Sequence, residues 1–298
     1  MHIELVTSGA TARHNEDWVG HFRAPGASEL VIIDGGTSVA ERDYIDPAKG
    51  DVVWFVERFA GALRAGIEGA THEDAASVHD QQTAVHRAVD AAYREFGERS
   101  AGQEVPLYAW PIAAMSWIRV RKLDHGHRLE LYCLGDCKVL LRTPDGEVRD
   151  LDPFVNPQEA VLRAEIDRLR AEGVHDPAAR QTRLLPMLRA RREFQNTVAG
   201  TNSLCLRPNG PFGAREAAFD APPGSMVLAM TDGFYRLVDT YGLHTPESLF
   251  ALCAGGGLQA ALDQLRAHEA AMQAAASVSV KRADDASAIL WRAEAGLH

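Results

Sequence analysis

The chain has 298 residues, of which 46% are hydrophobic and 24% are charged, and this apolar content is enough for a sizeable core. Its formal net charge of -10 repels nucleic acids and anionic membranes, so we expect neither as a partner. No run approaches the roughly 20 apolar residues that cross a bilayer, and the first residues lack the features of a secretion signal, so we expect a cytoplasmic protein.

The first half of the chain predicts a strand, two helices and then more strands. The run ELVIIDGG (29–36) is typical of a buried strand that stops abruptly at Asp34. The segment 51–99 has apolar residues at helical spacing and a break near 66–71, which predicts two helices. The runs MSWIRVRKL and HRLELYCLGDCKVLLRT alternate with period two, and Gly135-Asp136 predicts a tight hairpin between two strands.

The second half predicts a helical insertion followed by a return to strands. Residues 153–200 contain charged amphipathic segments bounded by Pro and Gly, without strand character. SLCLR, AREAAFDA and SMVLAMTDG then predict strands, a helix begins near Pro246, and DDASAILWR predicts a final strand. The four cysteines are too few for a disulfide framework, so we expect free, buried thiols at Cys133, Cys137, Cys205 and Cys253.

Carboxylates stand at the ends of three predicted strands. Asp34 follows LVII, Asp232 follows MVLAMT, and Asp284 with Asp285 precedes ASAILW. If these strands are neighbours in one layer, with the last running opposite to the others, the acids converge at one end. Clustered carboxylates repel one another unless a cation lies among them, and oxygen ligands suit Mg²⁺ or Mn²⁺. For any single acid, the alternative is a residue that starts a turn or caps a helix.

Five motifs together resemble those of metal-dependent protein phosphatases of the PPM/PP2C type. They occur in the family's order and at roughly its spacing, over nearly the whole chain: RHNEDW (13–18), IDGG (33–36), YCLGDCKVLLR (132–142), MTDGFYRLVD (230–239) and DDAS (284–287). The resemblance implies an α+β fold, a four-layer α-β-β-α sandwich of two packed antiparallel sheets flanked by helices. It also implies a single domain over 1–298 with the helical insertion at about 153–200, and we expect a monomer.

The resemblance assigns metal ligands by position. Asp34 would bridge two Mn²⁺ or Mg²⁺ ions, and the carbonyl of Gly35 would bind one of them. Asp17 would hold a metal directly or through water, while Asp232 and Asp284 would bind the other ion.

Further roles implied by the family concern a third ion and the substrate. Asp136, in GDCK where the family usually has Gly-Asp-Ser-Arg, would hold a third, weaker ion. Arg13 would be the catalytic arginine that binds the substrate phosphate, since a guanidinium suits bidentate phosphate binding. The implied reaction is direct hydrolysis of phosphoserine or phosphothreonine in a protein substrate: a water that bridges the cations loses a proton and attacks phosphorus in line.

Two departures from the family pattern leave other functions open. The loop DGGTS, which begins at Asp34, is shorter than the family's usual Asp-Gly-x-Gly-Gly, and no histidine adjoins Asp34. One alternative is therefore a catalytically silent module of the same fold that binds a phosphorylated partner. The other is a phosphatase of small phosphate esters, which would use the same ligands.

Overall fold

The computed structural model describes residues 2–11, 14–69, 80–275 and 283–293, in which two antiparallel β-sheets are flanked by α-helices. The strands are β1 His2–Ser8, β2 Trp18–Ala24, β3 Ala27–Gly35, β4 Ile112–Leu123, β5 Gly126–Leu134, β6 Lys138–Arg142, β7 Val148–Asp150, β8 Leu204–Cys205, β9 Arg215–Ala221, β10 Met226–Met230 and β11 Ala286–Arg292. The α-helices are α1 Asp51–Glu68, α2 Gln81–Arg99, α3 Pro157–Ala171, α4 Pro177–Thr197, α5 Asp232–Asp239, α6 Pro246–Gly256 and α7 Leu258–Ala275, and Leu107–Ala109 forms a 3₁₀ turn.

Each sheet has its own strand order. The first sheet runs β2-β3-β4-β5-β9, with β8 paired to β4, and the second runs β1-β11-β10-β6-β7. The paired strands of both sheets are antiparallel; for example, Ile33 pairs with Met115 in the first sheet and Leu228 with Leu290 in the second.

Three apolar cores separate four layers. The first core lies where α1 and α2 pack on the first sheet and includes Phe55, Phe59 and Trp117. The second lies between the two sheets and includes Trp291. The third lies where α5, α6 and α7 pack on the second sheet and includes Phe250. The predicted α-β-β-α sandwich is therefore confirmed.

Strand β3 shows how its sequence fits this layering. Successive side chains of a strand point to opposite faces of the sheet. Leu30 and Ile32 belong to the core between the sheets, whereas Val31 and Ile33 belong to the core under α1 and α2. Because both faces of β3 are covered, its apolar run is continuous and does not alternate with polar residues.

The hairpin predicted at Gly135-Asp136 is wrong. The strand before it, β5, belongs to the first sheet, and the strand after it, β6, belongs to the second, so this turn carries the chain from one sheet to the other. Gly135 has a φ of +74°, and a Cβ there would lie 2.4 Å from the Cβ of Ala114. A left-handed turn with a glycine suits a hairpin and a crossing between sheets equally well, so the local sequence did not distinguish them.

Helices α3 and α4 occupy the segment predicted to be a helical insertion. Each helix begins with Pro at its first turn, after a capping side chain: Asn156 accepts a hydrogen bond from the Gln158 amide, and Asp176 accepts one from the Ala179 amide. Near the end of α4, Asn196 Nδ2 donates to the carbonyl oxygens of Leu107 and Trp110, each at 3.2 Å. These hydrogen bonds fix the end of α4 to the segment that precedes β4, on the helix-covered side of the first sheet.

All four cysteines are free and buried, as predicted. In the part of the chain that the structure describes, no helix has both the length and the apolar content that a membrane span requires.

Candidate metal centre

The predicted strand-end acids meet at one end of the sandwich, but they come from both sheets. Asp34 lies near the end of β3 in the first sheet. Asp232 is the first residue of α5, directly after β10, and Asp284 precedes β11, which is antiparallel to β10 in the second sheet. These three strands therefore do not share one layer. The acids converge because the two sheets stack with these strand ends on the same side.

A pocket of about 420 Å³ opens at this end of the molecule. Five of the residues predicted as metal ligands line it: Asp34, Gly35, Asp136, Asp232 and Asp284. The insertion forms another part of its wall, through Leu162, Gln181, Leu188, Arg191, Arg192 and Gln195. A single concave surface thus combines an acidic cluster with two arginines.

Asp34 is the electrostatic centre of the acidic cluster. Burial raises the pKa of its carboxyl group well above the ordinary value, and the charges of Asp232 and Asp17 raise it further. A hydrogen bond between the carboxyl groups of Asp34 and Asp232 and the charge of Asp136 act in the same direction. These groups are close enough that each opposes the ionisation of Asp34.

Asp17 lies behind the pocket surface, with 7% of its area exposed. Its Oδ2 accepts a hydrogen bond from Thr231 Oγ1 at 2.9 Å, whereas its buried Oδ1 has no hydrogen-bond partner in the described structure. Burial raises the pKa of Asp17 well above the ordinary value; hydrogen bonds from Thr231 and Ser287 oppose that shift, and the charges of Asp285 and Asp232 add to it. A buried carboxylate oxygen without a donor is costly unless a cation satisfies it.

The two adjacent acids before β11 have different contacts. Asp285 accepts backbone hydrogen bonds on both oxygens, from the amides of Ala10 and Glu16 at 2.6 Å each, and so holds the loop that carries Asp17. Asp284 lines the pocket, and its Oδ2 lies 3.9 Å from Arg236 Nη1. These contacts favour Asp284 as the ligand of the pair and give Asp285 a structural role.

Close packing between segments requires glycine at two positions of the motifs. A Cβ on Gly233 would lie 1.9 Å from the carbonyl oxygen of Asp285, so the start of α5 rests directly on the backbone beside Asp284. A Cβ on Gly35 would lie 2.6 Å from both the Glu16 carbonyl oxygen and Val52 Cγ1. The glycine that follows each acid therefore allows the segments bearing Asp17, Asp34, Asp232 and Asp284 to approach one another.

Asp136 is held by the insertion. Asn156 Nδ2 donates to Asp136 Oδ2 at 2.9 Å. Beside it, Arg215 donates to the Gly135 carbonyl oxygen at 2.6 Å and forms two hydrogen bonds with Asp152, at 2.7 and 2.6 Å. The turn between the sheets is thus fixed to the segment that leads into α3.

The donor set fits a hard divalent cation. The acids and the Gly35 carbonyl offer oxygen ligands, which Mg²⁺ and Mn²⁺ prefer, and the partnerless oxygen of Asp17 lacks a donor. Within the described ranges, no three His, Cys, Asp or Glu side chains are already arranged as a complete ion site. Carboxylate side chains can rotate whereas the strand ends that carry them are fixed, so these acids can turn toward a shared cation.

The arginines that line the pocket are not the one predicted to bind phosphate. Arg13, the predicted phosphate-binding residue, lies outside the described residues. Arg191 and Arg192 line the pocket, and neither was predicted from the sequence. The run RARR in α4 contains them, but α3 and α4 are rich in arginine, so composition gave no sign of which arginines face a pocket.

No protein-family model matches this chain. No curated protein matches it either.

Solved structures match the fold along nearly its entire length. The S. agalactiae serine/threonine phosphatase has a TM-score of 0.55 at 12% identity, with 97% of this chain and 98% of that chain covered. The catalytic domain of the serine/threonine phosphatase PstP, in complex with two manganese ions, gives 0.52 at 16% identity, with 97% and 96% covered. Stp1 from Staphylococcus aureus gives 0.54 at 13% identity, with 99% and 95% covered. The resemblance to PP2C-type phosphatases is confirmed at the level of the fold.

Proposed function

We propose that this chain is a divergent PPM/PP2C-type phosphatase that hydrolyses phosphoserine and phosphothreonine in proteins with the help of two Mn²⁺ or Mg²⁺ ions. The observation that carries the proposal is the acidic cluster around Asp34, at the end of a sandwich whose fold matches serine/threonine phosphatases. The match to PstP, crystallised with two manganese ions, supports the choice of metal. One fold can host different activities, so the site residues decide the function.

The proposed ligands are those predicted from the motifs. Asp34 would be shared by two ions, with the Gly35 carbonyl and Asp17 completing the contacts on one side. Asp232 and Asp284 would hold the other ion, and Asp136 a third, weaker one. The pocket lining by Asp34, Asp136, Asp232 and Asp284 and the buried oxygen of Asp17 support this assignment.

The protein's own groups would position and neutralise the reactants. Divalent ions bound among these carboxylates would polarise the phosphoryl oxygens and acidify a water molecule. Hydrolysis breaks the bond between phosphorus and the seryl or threonyl oxygen and adds the hydroxyl of water to phosphorus. The remaining proton of that water goes to the departing oxygen, which leaves as the neutral alcohol. The strand ends hold the acids in place, and the pocket wall formed by the insertion would orient the phosphorylated side chain. We further propose a monomeric, cytoplasmic protein with a single domain over 1–298.

A second candidate is a silent module of the same fold that binds a phosphorylated partner. The observation that favours it is the short loop after Asp34. It predicts phosphopeptide binding without turnover.

The test is hydrolysis of a phosphothreonine peptide by the purified protein, with Mn²⁺ or with EDTA, alongside Asp232→Asn. We expect Mn²⁺-dependent phosphate release that falls by at least about 100-fold in the variant, because an ion would lose a charged ligand. Asp239→Asn is the matched control, since Asp239 is exposed at the far end of the same helix. Full activity of Asp232→Asn would refute the proposed ligand set, and peptide binding without turnover by the wild type would favour the silent module.

A further inference from the structure

Two arginines of α4 differ from their neighbours in the insertion. Four other arginines of α3 and α4 form ion pairs with carboxylates: Arg168, Arg170, Arg183 and Arg189. Arg191 and Arg192 line the pocket, and neither forms an ion pair with a carboxylate of the described residues. The pocket thus contains two guanidinium groups whose hydrogen bonds go to neutral oxygens.

Arg192 already has a structural role. It is 7% exposed, and its Nη2 donates to the carbonyl oxygens of Gly36 and Thr37 at 3.2 and 3.0 Å. Burial lowers its pKa to about 10, so it remains charged at neutral pH. These bonds connect α4 to the short loop that follows Asp34, and they engage the guanidinium that would otherwise contact a ligand.

Arg191 is more available for a ligand. It is partly exposed, and its hydrogen bond goes from Nη2 to the side-chain oxygen of Asn156 at 3.3 Å, a long contact with a neutral acceptor. Asn156 also donates to Asp136, so Arg191 lies one side chain away from a pocket acid. In this position the Arg191 guanidinium can replace its weak hydrogen bond to the Asn156 amide with a charge-assisted hydrogen bond to an anionic ligand.

The chemistry of the pocket indicates which ligand would form that charge-assisted hydrogen bond. A phosphate monoester carries negative charge and would be repelled by the pocket acids unless cations offset them. The planar fork of a guanidinium matches two phosphate oxygens and binds them more strongly than a neutral donor does. A carboxylate ligand has the same fork geometry but less charge, so once divalent cations offset the pocket acids the site favours phosphate.

We propose that Arg191, supplied by the insertion, binds the phosphate group of the substrate. The proposal rests on the proposed phosphatase function for the identity of the ligand. It adds a recognition residue from a segment outside the metal-ligand motifs, one that acts whether or not Arg13 also contacts the phosphate.

The test is binding of inorganic phosphate, measured by calorimetry with Mg²⁺ present, to the wild type, Arg191→Gln and Arg191→Lys. We expect Arg191→Gln to raise the dissociation constant on the order of 10- to 100-fold, the usual effect of losing a hydrogen bond to a charged group. Arg191→Lys should give an intermediate value, because it keeps the charge but loses the fork. Arg183→Gln, on the exposed face of the same helix, should stay within about twofold of the wild type.

The outcomes separate this proposal from the proposed function. Weaker phosphate binding by Arg191→Gln supports it even if the wild type hydrolyses no peptide. Equal phosphate binding by the wild type and Arg191→Gln overturns it even if both proteins are active phosphatases. Absence of phosphate binding in the wild type also overturns it. Near-ultraviolet circular dichroism matching the wild type shows that each variant is folded.

Discussion

Replacement of Asp34 with asparagine should stabilise the metal-free protein at neutral pH. Burial and the charges of Asp232 and Asp17 raise the pKa of Asp34 well above its ordinary value, so in EDTA the folded protein binds this proton more tightly than the unfolded chain does. An asparagine side chain keeps the shape of the aspartate without its charge. The substitution therefore removes an unfavourable burial, although it also removes a proposed metal ligand.

The size of the effect depends on pH. A raised folded pKa contributes stability that is fully present below the unfolded pKa, near 4, and is lost as pH rises toward the folded value. Each pH unit in that window corresponds to about 1.4 kcal/mol for one proton. Between pH 4 and pH 7 the gain of Asp34→Asn over the wild type should therefore grow with pH, by no more than about 1.4 kcal/mol for each pH unit.

Urea unfolding in EDTA at pH 4.5, 6 and 7.5 measures this difference. Asp220→Asn is the control, because Asp220 is an exposed residue of β9 paired with Arg128, and its change should be within about 0.5 kcal/mol at neutral pH. A gain that does not increase with pH, or an Asp34→Asn protein less stable than the wild type at pH 7.5, would refute the electrostatic account of the cluster.

Two further substitutions test the packing of the Gly135 turn and the buried ion pair between Glu29 and Arg119. Gly135→Ala should destabilise the protein by about 2–4 kcal/mol in urea, because its φ is +74° and the new Cβ would meet Ala114 at 2.4 Å; a loss below about 1 kcal/mol would show that the crossing turn is not tightly packed. Glu29→Gln should cost about 3–5 kcal/mol, because Glu29 and Arg119 form a 2.7 Å ion pair with exposures of 0% and 1%; a change near zero would mean that the pair does not form.

The strand-end acids could be predicted because each stands in a local context that limits its position. An apolar run followed by Asp-Gly predicts a strand that ends at a carboxylate, and this holds for β3 and β10. The structure adds the reason for the glycines: at Gly35 and Gly233, a Cβ would collide with the backbone of a neighbouring segment. These contacts join segments far apart in the chain, so the sequence indicated a tight turn but not its partner.

The sheet assignments could not be predicted from the same patterns. In a sandwich covered by helices, strands of both sheets are buried on two faces, so β3 and β5 of the first sheet share an apolar character with β10 of the second. This is why β5 and β6 were expected to pair, and why the pattern did not show that the Asp34 strand lies in a different sheet from β10 and β11. The place of Arg191 in the pocket wall could not be predicted either, because helical spacing alone does not show which end of an arginine-rich helix lies near the acids.

The most direct test of the central claim is the number of Mn²⁺ ions that bind each chain. Calorimetric titration of the wild type should give two ions, and Asp232→Asn should bind fewer or bind them at least about 10-fold more weakly, while Asp239→Asn matches the wild type. A wild-type protein that is folded and binds no Mn²⁺ at millimolar concentration would contradict the two-metal account.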